Sequence, residues 1–364
     1  MQRVLPEWSG EELIYVEPTQ VARSFGYNIF SSAHDPETLE WNQQTVASVP
    51  EVDGPVADER VDYPSPEAAS AAVRETATKL GAAMVGITRV DPFHVYEGMD
   101  LPHEFAIVLA VPMDYDEIKY GATVSHVREV IKVYAIAGKL AVALAKHVRV
   151  QGHPARAHTL RFEQLNMIPH AIAAGLGELG KHASLINRDL GCSFRLATVT
   201  TDLPLAVDGP RDWGVDETCA NCNMCVSHCP GDAISHEKQE VRGIERWTID
   251  TEACAPYWGS YYACGICLEV CPFNARMQDG RYKHSLIERI NELDREEWGR
   301  ELEEGLQDPW EYVVEPTDRS EGWRNYVEGR GEADHLIQGI PDEGLPKPVY
   351  KMRERMGIVE RHRK

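Results

Sequence analysis

The sequence predicts an α+β protein in which an α/β layer precedes a small module built on cysteine. Two observations predict it. Between residues 65 and 210, short apolar runs of strand length alternate with stretches of helical period. After them, eight of the nine cysteines fall between Cys219 and Cys271.

The elements follow in order. Residues 1–64 are polar, with Pro6, Pro18, Pro36, Pro50 and Pro55 spread through them, and are expected to form an irregular arm. Ser65-Pro66-Glu67 starts a helix with a capping serine, a first-turn proline and an early acid, and Gly81 stops it. AAMVGITRV (82–90) and FAIVLAVPM (105–113) read as buried strands. Residues 123–151 carry apolar side chains at helical spacing until Gly152-His153-Pro154. PHAIAAGLGELGKHA (169–183) is expected to be a second helix, broken by its glycines, and residues 193–201 a strand. The expected organisation is an arm (1–64), an α/β domain (65–210), a cysteine module (211–280) and a helical and loop-like extension (281–364) ending in the basic stretch 351–364.

Composition narrows the function classes. The chain of 364 residues is 43% hydrophobic and 26% charged, which supports a real core. Its 37 Lys and Arg against 58 Asp and Glu give a net charge of −21, which opposes nucleic-acid and anionic-membrane partners. There is no apolar run of transmembrane length, and the start shows neither a secretory leader nor a twin-arginine pair. A cytoplasmic location is expected. In that compartment clustered cysteines are metal ligands or redox thiols rather than disulfides.

The cysteine spacing specifies the metal. Cys219, Cys222, Cys225 and Cys229-Pro230 form C-x2-C-x2-C-x3-C-P. Cys254 is followed nine residues later by Cys264, Cys267 and Cys271-Pro272, which repeat the same ending. Three close thiolates wrap three corners of one cubane, and the cysteine before proline reaches the other cluster. Cys219, Cys222, Cys225 and Cys271 are therefore expected to hold one 4Fe-4S cluster, and Cys229, Cys254, Cys264 and Cys267 a second. Zinc sites use paired C-x2-C units without this run. Two such clusters form a wire, and the residues before the module are where its far end is expected.

The segment CAPYWGSYYACGICLEVCPFN (254–274), with Tyr257-Trp258 and Cys264-Gly265-Ile266-Cys267, resembles corrinoid-dependent reductive dehalogenases. So does AIAAGLGELGKHASLINRDLGCSFRLATVTTDLPLA (171–206), through Gly175-Leu176-Gly177 and Arg195-Leu196. The resemblance covers about residues 70–275. It implies a nitroreductase-like α/β domain that binds base-off cobalamin, followed by a ferredoxin-like domain with two 4Fe-4S clusters. Epoxyqueuosine reductase belongs to the same superfamily, and Leu179-Gly180-Lys181 with Leu185-Ile186-Asn187 is similar to it. Gly265 stands where that enzyme has an aspartate.

The resemblance also assigns roles. Tyr134, placed by the family at the start of the long helix, becomes the proton donor, and Arg195 the cation that holds its phenolate. The alternatives are a tyrosine anchoring its helix and an ordinary ion pair. A third active-site residue falls in 156–166, where Leu160 stands near the expected place and His158, Thr159 and Arg161 are candidates. Gly175, Gly177, Ser184 and Ser193 are expected to line the corrinoid, although the glycines could equally serve close packing. Cys192, outside the motifs, reads as a small buried hydrophobe. The fourteen histidines show no metal-site spacing.

Three functions remain open. The first is reductive dehalogenation of a small organohalide, driven by an external reductant such as ferredoxin or flavodoxin. The second is an epoxyqueuosine reductase-like enzyme acting on tRNA. The third is a non-enzymatic electron-transfer protein.

Overall fold

The computed structural model describes residues 36–274, apart from 97, 119–123, 161, 230, 242, 252 and 255–263. Residues 1–35, the expected extension 281–364, and Arg161, Tyr257 and Trp258 lie outside the described residues.

The arm is not irregular throughout: Pro36–Ala47 forms a helix, α1. Its buried positions are Thr38, Asn42 and Thr45, so its inward face keeps helical spacing without apolar residues. Glu37 pairs with Arg128 at 3.1 Å, which ties α1 to the long helix described below. Helix α2 spans Pro66–Leu80 as expected. The Ser65 side chain accepts from the Ala68 N–H at 3.3 Å, and Gly81 closes the helix at φ 110°.

Four strands form one sheet: β1 (Met84–Arg89), β2 (Phe105–Pro112), β3 (Ala155–His158) and β6 (Phe194–Thr201). Their order is β1-β2-β6-β3, and every neighbouring pair is antiparallel. The layer is thus an antiparallel sheet with helices on its faces. β2 is buried on both sides, which explains its continuous apolar run. Phe105, Ile107, Leu109 and Val111 meet α2 and the 27-residue helix α3 (Val124–Val150), while Val108 and Ala110 meet a second core on the opposite face.

The expected helix over 169–183 is corrected. Helix α4 runs only from Met167 to Ala173, and Glu178–Leu179 (β4) then pairs with Leu185–Ile186 (β5). Gly175 ends the helical path at φ 72°. No helix among the described residues is long and apolar enough to cross a membrane.

The cysteine module consists of short elements: α5 (Val215–Asn221), α6 (Met224–His228), the hairpin β7 (Gln239–Val241) and β8 (Ile244–Arg246), and α7 (Ile266–Glu269). It is anchored to the sheet region at several points. Glu178 Oε2 accepts from the backbone N–H of Trp213 at 2.7 Å and of Val215 at 3.0 Å, capping the start of α5 from outside. Asn274 Oδ1 accepts from the Cys192 N–H at 3.0 Å, and its Nδ2 donates to the Leu268 carbonyl at 2.9 Å. Trp213, Val215, Trp247 and Phe273 share one core with Ile186 and Cys192.

Candidate active site

Tyr134 lies in the middle of α3 rather than at its start, half-buried against the main core. Arg195 sits on β6 opposite Val111 and one alternation step from Ala197, which belongs to that same core. The alternation of the strand therefore turns Arg195 toward α3. Its guanidinium carbon is 4.9 Å from the centroid of the Tyr134 ring, a cation–π stack. The structure brings these two residues together from positions far apart in sequence.

His126, also on α3, extends the group and was not singled out by its sequence. It is buried, and its pKa falls to about 4, through burial first and then through the nearby Arg195 charge. Its ring lies against Gly265 in the second cysteine motif. A Cβ at Gly265 would stand 2.5 Å from the ring, and Gly265 itself adopts φ 77°. This explains why glycine occupies the position between Cys264 and Ile266. The only signal in the sequence was a histidine near the start of a long amphipathic helix.

The cysteines fall into two groups by which thiol acts on which. Cys219, Cys222 and Cys271 act on one another or on Cys225, and Cys229, Cys254 and Cys264 act on Cys267, with Cys225 also reaching Cys267 across the two groups. Burial drives the Cys222 and Cys264 thiols up to about 12 and Cys254 to about 11, and it raises Cys219, Cys225 and Cys267 as well. Cys271 is raised by its contact with Cys192 and then by burial. Bare thiolates are thus disfavoured at these positions, and a cationic metal centre is what would offset the cost.

The remaining expected residues divide. In 156–166, His158 is a fully buried hydrogen-bonded residue: one ring nitrogen is 2.8 Å from Thr200 Oγ1 and the other accepts from the Gln164 N–H at 3.2 Å. Thr159 Oγ1 is buried and has no hydrogen-bond partner. Gly175 and Gly177 are explained by close backbone approach, since a Cβ would meet the Gly209 carbonyl at 2.7 Å and the Ile186 carbonyl at 2.6 Å. The Ser184 N–H donates to His182 Nδ1 at 3.2 Å. Ser193 Oγ and Arg195 Nε are both buried without a partner, Ser193 just before β6 and Arg195 near its start. Cys192 is buried, its thiol 3.5 Å from the Leu268 carbonyl.

Comparison with known proteins places this geometry. Residues 218–275 match the family described as 4Fe-4S dicluster domain. The tetrachloroethene reductive dehalogenase of Desulfitobacterium hafniense is 34% identical over 181 residues, 46% of this chain and 32% of that protein. That of Sulfurospirillum multivorans is 32% identical over 184 residues, again 46% of this chain and 34% of that protein. An epoxyqueuosine reductase of Leadbetterella byssophila is 39% identical over 110 residues, 28% of this chain and 35% of that protein. A solved catabolic reductive dehalogenase superposes with a TM-score of 0.66 at 27% identity, covering 76% of this chain and 42% of that one. The chain spans about a third of the length of the curated relatives it matches. The chain thus carries a 4Fe-4S dicluster domain and is similar, over about half of its length, to reductive dehalogenases and, over a shorter stretch, to epoxyqueuosine reductase.

Proposed function

We propose that the chain is a cytoplasmic cobalamin- and iron–sulfur-dependent reductase that replaces the halide of a small organohalide with hydrogen. The observation that carries this reading is the Tyr134–Arg195 stack, joined to the cysteine module through His126 and Gly265. In this reading residues 65–210 are the nitroreductase-like corrinoid domain and 211–280 the ferredoxin-like domain. Each group of four thiols holds one 4Fe-4S cluster. The cytoplasmic location suits thiolates that must stay reduced until iron is loaded.

The residues present fit a corrinoid beside the stack. Ser193 Oγ, Arg195 Nε and Thr159 Oγ1 are buried polar atoms without protein partners, and such atoms ordinarily mark a missing group or water. When bound base-off, cobalamin supplies the metal centre at which the carbon–halogen bond is broken. The chain's own residues do the rest. An external donor such as ferredoxin or flavodoxin delivers two electrons through the cysteine module. Tyr134 gives its hydroxyl proton to the substrate carbon, and Arg195, already over the ring, stabilises the phenolate left behind. Two electrons and one proton enter, and the halide ion leaves.

The test is turnover of a halophenol panel with a strong chemical reductant. Tyr134→Phe keeps the packing and removes the donor, so activity should fall about 10²–10⁴-fold while iron and cobalamin stay bound. Arg195→Lys keeps the charge but loses the planar fork, and should also be impaired. Wild-type turnover by Tyr134→Phe rejects the assignment. The likeness to an epoxyqueuosine reductase favours action on tRNA as the second reading. The net charge of −21 opposes it, and a gel shift with transfer RNA separates the two.

A further inference from the structure

The segment Gly180-Lys181-His182 leaves β4 and lies against the sulfurs of the first thiol group. The Lys181 N–H donates to Cys219 Sγ at 3.4 Å. The Lys181 side chain is 1% exposed, its Nζ donating to Asn223 Oδ1 at 3.0 Å and standing 4.7 Å from the Trp247 ring centroid. A buried ammonium is costly unless it faces compensating negative charge.

His182 adds a directed donor. Its Nδ1 accepts from the Ser184 N–H at 3.2 Å, so Nε2 carries the proton. Nε2 is buried and without a hydrogen-bond partner in the protein. A ring nitrogen of His182 and the sulfurs of Cys192 and Cys271 lie within 4.8 Å of one another. The remaining N–H thus belongs to the surroundings of Cys271. The second thiol group has an acidic neighbour: Asp250 Oδ1 accepts from the Ala253 N–H at 3.1 Å, one residue before Cys254.

Resting on the two-cluster reading above, we propose that Lys181 and His182 are positioning residues that raise the reduction potential of the cluster held by Cys219, Cys222, Cys225 and Cys271 above that of its neighbour. Reduction adds one electron to a cluster. Lys181 meets the added negative charge as a buried counter-ion, and His182 meets it as an N–H donor toward Cys271. The first cluster fills first from a one-electron donor, and the second, with the Asp250 carboxylate beside Cys254, remains the stronger reductant.

An anaerobic redox titration of the reconstituted chain, followed by electron paramagnetic resonance, tests this. Iron and sulfide content are measured first, and the signal altered by Cys222→Ser identifies the first cluster. Lys181→Met should lower its reduction constant at least tenfold, about 59 mV for a one-electron couple, whereas Lys181→Arg should stay near wild type. His182→Phe should shift it in the same direction by less, and His182→Gln, which keeps an N–H, should restore it. The second cluster should not move. Wild-type protein that holds zinc in place of iron overturns the two-cluster reading itself. Two intact clusters whose potentials are unmoved by Lys181→Met and His182→Phe overturn the inference alone. If both variants lose the first cluster, the residues are props for its assembly and the inference also fails.

Discussion

The sheet region buries hydrocarbon where the module buries sulfur. In β2, Ile107, Val108, Leu109 and Ala110 are all fully buried, two facing each core. In the module, helices of seven, five and four residues surround buried thiols. Helices that short do not hold themselves together in water. The sheet region therefore carries its own cohesion, whereas the module is completed by the metal it binds. The proposed catalytic stack draws on both: Tyr134 and Arg195 stand on the self-sufficient region, and His126 reaches across to the dependent one.

Iron removal should break this comparison most visibly. Stripped anaerobically with a chelator, the chain should lose amide protection over α5, α6 and α7 while β2 and β6 stay protected in hydrogen exchange. A module that remains protected without iron would show that its own packing suffices. The converse change is Leu109→Ala, which should cost about 2–5 kcal/mol of stability in the sheet region while each folded chain keeps its full iron content.

Acid sharpens the comparison within the sheet region. His158 is pushed down to about 3, by burial first and then by Arg156, His103 and His170. Its folded value lies below the unfolded value of 6.5, so the unfolded chain takes the proton first as pH falls. Stability from this site is complete above pH 6.5 and is lost from there toward pH 3, at up to about 1.4 kcal/mol per pH unit. Denaturant melts of His158→Gln should show a flatter dependence over that window. The smallest effect is local. Ser65→Ala removes the cap of α2 and should cost about 1 kcal/mol, with the clusters untouched.

What was legible in the sequence follows the same division. Elements fixed by short-range rules could be read: Ser65 and Gly81 bound α2, the apolar run marks β2, and the apolar period marks α3. The dicluster motif was readable because its cysteines keep the spacing of a ferredoxin run within a short stretch of chain. α1 was hidden because its buried face is Thr38, Asn42 and Thr45, which carry no apolar signal. The helix expected past Ala173 failed because Gly175 and Gly177 answer to distant carbonyls of Gly209 and Ile186. His126, Lys181 and His182 owe their surroundings to residues far along the chain, Gly265, Cys219 and Cys271, and no local pattern announces such contacts. The position of β6 between β2 and β3 is likewise a tertiary fact.

Anaerobic reconstitution with iron, sulfide and cobalamin, followed by gel filtration and metal analysis, tests the two-cluster corrinoid reading most directly. The expected outcome is about eight iron and eight sulfide per chain, the sum of two four-iron clusters, together with about one cobalt whose absorbance is that of base-off cobalamin. Stoichiometric zinc in place of iron, or full iron with no cobalt retained, would contradict it.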